Sequence, residues 1–304
     1  MDELNVKVNS SKAWLLASRP KTLTGAAVPV MIGIAVAIQV YGLASVRVVP
    51  AVLCMLFALI MQVDANFVND YFDFMKGTDD EQRLGPKRAC AQGWITAPAM
   101  RRGLLYTTLL ACAVGLPLVY YGGWEMIMVG LACVVFCFLY TISFSYLGLG
   151  DVLVLVFFGV VPVCMTYWLT APPTPLAAIP VSVVLMSLAC GMVIDTLLIV
   201  NNYRDIDNDR RAGKRTLIVR IGARAGRLSY LFIGVAAVLV NIFATYHIAH
   251  WAMWLPVLYL PFHSSAYIAM KRINKGAELN RVLGMTARNM LIYGVLVAAG
   301  LLLA

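Results

Sequence analysis

Long uncharged apolar segments recur along this 304-residue chain, and they restrict its fold more than any other feature. Each is about 20 residues long, the length that an α-helix needs to cross the hydrocarbon core of a bilayer. The chain is also 61% hydrophobic and only 13% charged, unlike a soluble domain. The sequence therefore predicts an all-α, polytopic membrane protein in which residues 1–304 form a single membrane-embedded domain.

The apolar segments predict nine transmembrane helices. They cover residues 22–41, 48–69, 103–121, 124–142, 150–170, 178–203, 228–247, 251–270 and 283–303. The first 21 residues contain acids at Asp2 and Glu3 and have no clear small-residue cleavage site, so they do not resemble a secretory signal. We predict that residues 1–21 form a short cytosolic leader.

Lysine and arginine are distributed unevenly between the two sides that nine helices imply. Of the 24 basic residues, all except Arg47 fall on the side of the N-terminus. Cytosolic loops of membrane proteins carry such an excess of positive charge. We therefore predict a cytosolic N-terminus and an external C-terminus, and we attribute the net charge of +9 to topology rather than to nucleic-acid binding.

A dense group of carboxylates ends the second predicted helix, in the segment NDYFDFMKGTDDEQRLGPKR at residues 69–88. Asn66, Asn69, Asp70 and Asp73 are spaced i, i+3, i+4 and i+7, which places them on one face of a helix. We therefore expect a polar stripe at the cytosolic end of this helix.

The segment NNYRDIDNDRRAGKRT at residues 201–216 repeats the pattern after the sixth predicted helix. Asn202, Asp205 and Asp209 are spaced i, i+3 and i+7, and Asn201 lies one turn before Asp205. Two similar polar stripes therefore end two apolar helices, four helices apart.

Carboxylates crowded near hydrocarbon repel one another and need compensation. Neither cluster contains His or Cys, and an oxygen-only ligand set suits a hard cation such as Mg²⁺, which bridges carboxylates to substrate phosphates. The interleaved basic residues suit the rest of a diphosphate. Ordinary solvated loops, with the acids paired to the basic residues, are the alternative, and the recurrence of the spacing argues against it.

These two segments resemble the Asp-rich motifs of the UbiA superfamily of intramembrane prenyltransferases, most closely its naphthoate branch. Four further segments agree with this family: RPKTL at 19–23, GPKRACAQGWI at 85–95, LGLGDVLVLVFFG at 147–159 and LNRVLGMTARNMLIYG at 279–294. The similarity extends from about residue 14 to the C-terminus.

The resemblance implies an Mg²⁺-dependent aromatic prenyltransferase in a bacterial cytoplasmic membrane, with its active site facing the cytosol. The tail of a polyprenyl diphosphate would lie in a groove open to membrane lipid, and Mg²⁺ would hold the diphosphate between the two motifs. Ionisation would give an allylic cation that an aromatic ring attacks. In the naphthoate branch, 1,4-dihydroxy-2-naphthoate loses CO₂ and gives demethylmenaquinone.

The resemblance also implies roles for individual residues. The predicted catalytic acids are Asp70, Asp73, Asp205 and Asp209, and the predicted metal ligands are these four together with Asp79. The predicted substrate contacts are Asn66, Asn69, Lys76, Arg88, Tyr140, Asn201, Asn202, Arg204 and Lys214. Tyr140, like Tyr71 and Tyr203, is a candidate to line the cation, or else an interfacial aromatic residue. The loop at 77–100 is a candidate lid.

Two acids depart from the family pattern, because Asp64 and Asp195 lie deeper in their helices than the motifs. An intramembrane acid is a functional candidate by default. Asp195 either positions the aromatic substrate or forms a buried ion pair with Arg288, and we expect the ion pair. The three histidines receive no role.

Other functions remain as alternatives. Another aromatic prenyltransferase of the same superfamily, acting on 4-hydroxybenzoate or making haem O, is the nearer one, and the segments EQRLGPKR and TARNMLIYG favour the naphthoate branch instead. An ion-coupled secondary transporter would place its charges near the bilayer midplane. Most acids of this chain lie at one membrane face, which argues against a transporter.

Overall fold

The computed structural model describes residues 6–77, 83–144 and 147–304, and these residues form helices and turns without any strand. The α-helices are α1 (Ser11–Ser18), α2 (Thr24–Tyr41), α3 (Val48–Met75), α4 (Ala97–Gly115), α5 (Leu118–Gly122), α6 (Glu125–Leu139), α7 (Gly150–Val154), α8 (Val161–Thr170), α9 (Val181–Arg204), α10 (Ile206–Arg211), α11 (Leu217–Thr245), α12 (Leu260–Ile273) and α13 (Leu279–Leu303). The predicted all-α class is confirmed.

Eight helical segments of the described chain are long and apolar enough to cross a bilayer. They are α2, α3, Ala97–Gly122, Glu125–Phe144, Gly150–Thr170, α9, α11 and α13. The predicted segment 251–270 is not among them, because a 3₁₀ helix at His250–Tyr259 precedes α12. Pro256 lies inside the 3₁₀ helix, and a proline lacks the N–H that a regular α-helix needs at that point.

The helices differ in how deeply they lie within the protein. In α9, 67% of the residues in the most apolar stretch are buried, whereas in the segment Glu125–Phe144 the share is 6%. The central helix α9 therefore packs against protein on most sides, and Glu125–Phe144 lies at the periphery, where its apolar side chains suit contact with lipid.

Two π-helical turns, Tyr140–Phe144 and Leu155–Val160, interrupt the fourth and fifth membrane segments. π-helical turns are rare in proteins, and many of those that occur lie at functional sites. The second one lies very close to α9, since a Cβ built on Gly159 would be 2.6 Å from the carbonyl oxygen of Ser187 and 2.8 Å from the Cα of Gly191. Only glycines allow the two backbones to approach so closely.

Part of the predicted leader is folded onto the membrane domain. Residues 11–18 form α1, whose Ala13 and Ala17 are buried. The ring of Trp14 packs edge-on against Phe67, with 5.4 Å between the ring centroids. Asn66 of α3 donates a hydrogen bond of 2.9 Å to the carbonyl oxygen of Ser18. The leader is therefore part of the packed structure from α1 onward.

A buried histidine joins α11 and α12. His263 is fully buried, and its Nε2 lies 3.0 Å from the carbonyl oxygen of Tyr230 and 3.3 Å from that of Leu231. A nitrogen that faces two carbonyl acceptors must carry the proton, so Nε2 donates and Nδ1 accepts from the hydroxyl of Tyr259 at 2.9 Å. The histidine thus has a structural role.

We expect Gly234→Ala to destabilise the fold, because a Cβ at this position would lie 2.2 Å from the Nε2 of His263. Overpacking of this kind costs about 1–3 kcal/mol. Gly284→Ala is the matched control, since no atom lies within 4 Å of a Cβ built there and alanine is the better helix former. Thermal unfolding in detergent compares the two, and equal melting temperatures would contradict the packing.

Candidate active site

The ends of α3, α9 and α10 converge on Tyr140. The carboxyl group of Asp209, in α10, interacts electrostatically with Asp205 and with Asp73 of α3. The phenol of Tyr140 interacts with both Asp209 and Asp73. The structure therefore brings acids of the two sequence motifs into one region, although they are more than a hundred residues apart in the chain.

Asp70 is fully buried and is bonded by the loop that follows α3. The backbone N–H of Ala89 donates to its Oδ2 and that of Cys90 to its Oδ1, both at 2.8 Å. Two buried N–H donors satisfy the charge of a carboxylate well. Asp70 thus fixes residues 89–90 against α3, a contact that spacing along α3 does not reveal.

Asp73 forms an ion pair with Arg88, with 2.9 Å between Oδ2 and Nη2 and with both side chains largely buried. Lys76 lies one turn further along α3, and its Nζ donates to the carbonyl oxygens of Thr141 and Ile142 at 3.2 Å and 2.9 Å. The basic groups of this motif are therefore held in place by the protein, one by a carboxylate and one by the π-helical turn.

Arg204, itself buried, is the centre of a partly buried polar network at the end of α9. Its Nε and Nη2 donate to the two carboxylate oxygens of Asp205 at 2.8 Å and 2.5 Å. It also donates to the Oδ1 atoms of Asn201 and Asn280, both at 2.7 Å. Asn280 in turn donates to the carbonyl oxygen of Leu84 at 2.7 Å. Arg204 therefore orients Asp205 and joins α9 to α13 and to the loop after α3.

Asp209 is buried, and Lys214 lies 3.9 Å from its Oδ1. Burial is the main reason why the pKa of the Asp209 carboxyl rises from 3.8 to about 6. Asp205 and Asp73 add to this rise, whereas Lys214 and Arg204 oppose it. The group is thus easier to protonate than an ordinary carboxylate.

We expect the contribution of Asp209 to the free energy of unfolding in metal-free buffer to fall as the pH rises from 3.8 to about 6. Over this range the folded protein keeps a proton on Asp209 that the unfolded chain releases, and Asp209 contributes at most about 3 kcal/mol to the change. Urea unfolding in detergent, measured in pH steps, tests this. The Asp209→Asn variant should lack this part of the decline, and parallel pH profiles would contradict the prediction.

The predicted asparagines have different surroundings. Asn66 bonds to Ser18 and Thr22, so it fixes α1 rather than facing the acids. Asn69 accepts from the Thr141 hydroxyl at 2.7 Å, and Asn201 accepts from Arg204. Asn202 is half-buried at the end of α9.

Asp79, with Asp80 and Glu81, lies outside the described residues.

Tyr140 differs from the other two candidate aromatic residues. It lines the main cavity. Tyr203 is buried and its hydroxyl accepts from Arg227 and donates to Asn274, while Tyr71 packs edge-on against Phe72. Tyr140 is therefore the one of the three that is placed to face a ligand.

An apolar cavity of about 560 Å³ begins beside these groups. Its polar end is formed by Asn69, Tyr140 and Asn201, and its walls continue to Leu118 and Met126 near the opposite ends of the membrane segments. The peripheral helix α6 supplies much of one wall. A long apolar molecule with a charged head would find its polar end among the acids and its tail along the cavity.

The structure contradicts the expected ion pair between Asp195 and Arg288. Arg288 is exposed and lies over the ring of Phe262, 5.9 Å from its centroid, whereas Asp195 is 3% exposed. Asp64 accepts hydrogen bonds from the hydroxyls of Thr107 and Thr108. Both acids are thus buried, but in different surroundings.

Part of the candidate lid is anchored. Ala89, Cys90 and Ile95 are buried, and Asp70 holds the backbone at 89–90. Asp151, which belongs to neither acidic motif, lies near Tyr140 and Asp195. The only signal for it was an acid at the start of an apolar segment.

Comparison with known proteins agrees with this geometry. A profile of the UbiA prenyltransferase family matches residues 26–302. The chain is 32% identical to the 1,4-dihydroxy-2-naphthoate octaprenyltransferases of Haemophilus influenzae, over 96% of each chain, and of Escherichia coli, over 98% of this chain and 97% of that one. The corresponding enzyme of Mycobacterium tuberculosis is 30% identical, over 95% of this chain and 96% of the relative.

Solved structures show the same fold at much lower identity. A UbiA homolog from Aeropyrum pernix superimposes with a TM-score of 0.69 at 15% identity, over 92% of this chain and 97% of that one. A homolog from Archaeoglobus fulgidus, solved with DMAPP and Mg²⁺, gives 0.61 at 13% identity, over 94% and 99%. The profile match and the full-length similarity together show that this chain belongs to the UbiA prenyltransferase family.

Proposed function

We propose that this protein transfers a polyprenyl group from a polyprenyl diphosphate to 1,4-dihydroxy-2-naphthoate, releasing diphosphate and CO₂ and giving demethylmenaquinol, the reduced form of demethylmenaquinone. The observation that carries the proposal is the similarity, over nearly the whole chain, to proteins named 1,4-dihydroxy-2-naphthoate octaprenyltransferases. The cavity supports it, because an apolar cavity that ends at Asn69 and Asn201, next to the two acidic motifs, suits an amphiphilic diphosphate.

The donor set near Tyr140 fits a divalent cation. Asp73, Asp205 and Asp209 offer only oxygen ligands, which Mg²⁺ prefers. Within the described residues no three His, Cys, Asp or Glu side chains are close enough to share one ion. This agrees with Mg²⁺, which usually keeps several waters and binds one or two carboxylates together with substrate phosphates.

We therefore propose that Asp73, Asp205 and Asp209 bind Mg²⁺ with at most two of their carboxylates on any one ion, and that Asp79 is a further predicted ligand. Asp70, whose two oxygens accept backbone N–H groups, holds the adjacent loop in our scheme rather than the ion. When bound, Mg²⁺ neutralises the negative charge that builds on the departing diphosphate.

The remaining predicted residues bind and orient in this scheme. Arg88 and Lys214, each beside a motif carboxylate, supply positive charge for the diphosphate, while Arg204 orients Asp205. Lys76 donates to two carbonyl oxygens of the π-helical turn and so holds this turn in the conformation in which Tyr140 faces the cavity. The aromatic face of Tyr140 stabilises an allylic cation, and the apolar walls exclude the water that would quench it.

We further propose that the acid-bearing helix ends face the cytosol of a bacterium whose cytoplasmic membrane holds the protein. Arg101, Arg102, Arg210 and Arg211 accompany the acids on the same side of the predicted topology, as the distribution of basic residues requires. Water-soluble aromatic substrate and diphosphate would then reach the site directly.

Purified protein in detergent, supplied with a polyprenyl diphosphate and Mg²⁺, tests the proposal when each aromatic acid is offered in turn. We expect prenylated product from 1,4-dihydroxy-2-naphthoate and none from 4-hydroxybenzoate, with mass spectrometry of the extracted lipids as the measurement. Product from 4-hydroxybenzoate alone would assign the protein to another branch of the family.

A further inference from the structure

Two carboxyl groups beside the cavity, Asp195 buried and Asp151 half-buried, each have a buried oxygen without a hydrogen-bond donor. Asp195 is 3% exposed, and its Oδ1 is buried without a hydrogen-bond partner in the part of the chain that the structure describes. The Oδ1 of Asp151 is in the same situation, and the two groups interact electrostatically. Buried polar atoms are nearly always bonded, so a pair of unsatisfied acceptors in one place requires an explanation.

Neither a neighbouring basic group nor a metal accounts for the pair. The expected partner Arg288 lies elsewhere, and no third ligating side chain joins the two acids within residues 6–77, 83–144 and 147–304. Asp64 provides the contrast, since this equally buried acid is satisfied by Thr107 and Thr108. Burial of an acid in this fold is therefore not enough to leave it without donors.

The position of the pair relates it to the ligand. Ile194 and Leu198, which flank Asp195 on α9, both line the cavity, as does Tyr140. The phenol of Tyr140 is near enough to Asp151 and Asp195 to feel their charges. A Cβ on Gly150, the residue before Asp151, would lie 3.6 Å from the Tyr140 hydroxyl oxygen. The acids thus lie behind the wall at Tyr140.

The hydroxyl of Tyr140 makes no hydrogen bond to any residue that the structure describes. It is thus a donor and acceptor on the cavity wall, with two carboxyl groups near it. A ligand hydroxyl that donates to the Tyr140 oxygen would leave the phenol proton free for a carboxyl oxygen behind the wall, because a hydroxyl both donates and accepts. An apolar tail or a diphosphate brings no such donor.

We propose that Tyr140, Asp151 and Asp195 form a subsite for the hydroxyl groups of the aromatic acceptor. Tyr140 contacts a ring hydroxyl at the cavity wall, and Asp151 and Asp195 are positioning residues that accept the hydrogen bonds of the Tyr140–acceptor pair. The proposal rests on the proposed function and adds to it the part of the site that selects a hydroxylated ring. It also explains why two acids lie deeper than the two motifs.

The subsite predicts a particular selectivity. A site with buried acceptors strongly rejects an analogue that lacks the matching hydroxyl, because the acceptors are then left unpaired. The protein should therefore prenylate 1,4-dihydroxy-2-naphthoate far better than either of its mono-methyl ethers. Loss of the carboxyl acceptor at Asp195 should reduce this preference while the binding of the diphosphate is unaffected.

Asp195→Asn tests the proposal, since it keeps the shape and replaces one carboxyl oxygen with an amide nitrogen that cannot accept a hydrogen bond. We expect the KM for 1,4-dihydroxy-2-naphthoate to rise by about 10-fold, the effect of losing one hydrogen bond. The KM for the polyprenyl diphosphate and the Mg²⁺ concentration for half-maximal rate should stay the same. A general packing defect would change all three quantities, or would lower kcat alone.

Asp64→Asn is the matched control, because it removes an equally buried acid that has its own donors and should leave the KM for the acceptor unchanged. Tryptophan fluorescence titration with 1,4-dihydroxy-2-naphthoate, without diphosphate or Mg²⁺, gives a second measure, in which Kd rises for Asp195→Asn only. If Asp195→Asn does not fold, Tyr140→Phe carries the same prediction.

Unchanged KM, Kd and ether preference in these variants would overturn the subsite while leaving the proposed function in place. Wild-type protein that gives no product from this acceptor would instead overturn the proposed function. The two failures are thus distinguishable.

Discussion

Asp209→Asn should lower kcat by about 10²- to 10³-fold, the usual cost of removing one group that stabilises charge in a transition state. The physical reason is that the carboxylate charge helps to hold the divalent cation against the diphosphate. We also expect the Mg²⁺ concentration for half-maximal rate to rise. Steady-state assays over a range of Mg²⁺ concentrations measure both quantities.

Asp207 provides a matched control two residues away. Its side chain is 59% exposed, and it pairs on the surface with Lys275 and Arg210 at 3.2 Å and 3.7 Å. Asp207→Asn should therefore leave kcat and the Mg²⁺ requirement unchanged, because surface ion pairs contribute little. Equal activity of the two variants would contradict the role that we assign to Asp209.

The largest loss of stability should follow from Arg204→Gln. This change leaves Asp205 without its two charge-assisted bonds and breaks the contacts to Asn201 and Asn280. The loss should be about 1–3 kcal/mol, because several charge-assisted bonds are lost while the Asp205 side chain, 25% exposed, is still partly solvated. Thermal unfolding in detergent measures the loss.

Arg204→Lys should recover only part of this stability, since lysine keeps the charge but cannot match a carboxylate with a planar fork. Arg210→Gln is the control, because its side chain is 60% exposed and its ion pair with Asp207 is long. A melting temperature for Arg204→Gln equal to that of Arg210→Gln would show that the network adds nothing to stability.

The fold class and the family followed from the sequence because hydropathy and the two motifs are local signals. The membrane segment predicted at 251–270 is not confirmed and stays a prediction. Its composition is that of a membrane helix, but Pro256 lies in a 3₁₀ segment. Hydropathy reports how apolar a segment is, and not whether its backbone can form one continuous helix. In the same way, the polar start of the chain hid the packing of α1 against Phe67.

Within the site, spacing along one helix predicted which acids share a face, but it did not predict their partners. Asp70 and Asp73 are three residues apart, yet one accepts backbone N–H groups and the other pairs with a guanidinium. Both partners belong to a loop whose conformation depends on tertiary packing. For the same reason, the sequence could not show whether Asp195 and Arg288 form an ion pair. The packing of α12 against α13 places Arg288 over Phe262 instead.

The most direct test of the central claim follows the two products of one reaction. Purified protein receives 1,4-dihydroxy-2-naphthoate labelled in its carboxyl group, a polyprenyl diphosphate and Mg²⁺, and both trapped CO₂ and prenylated naphthoquinol are counted over time. We expect equal amounts of the two products, and neither when EDTA replaces Mg²⁺. Prenylated product that retains the label, or label released without the polyprenyl diphosphate, would contradict the account.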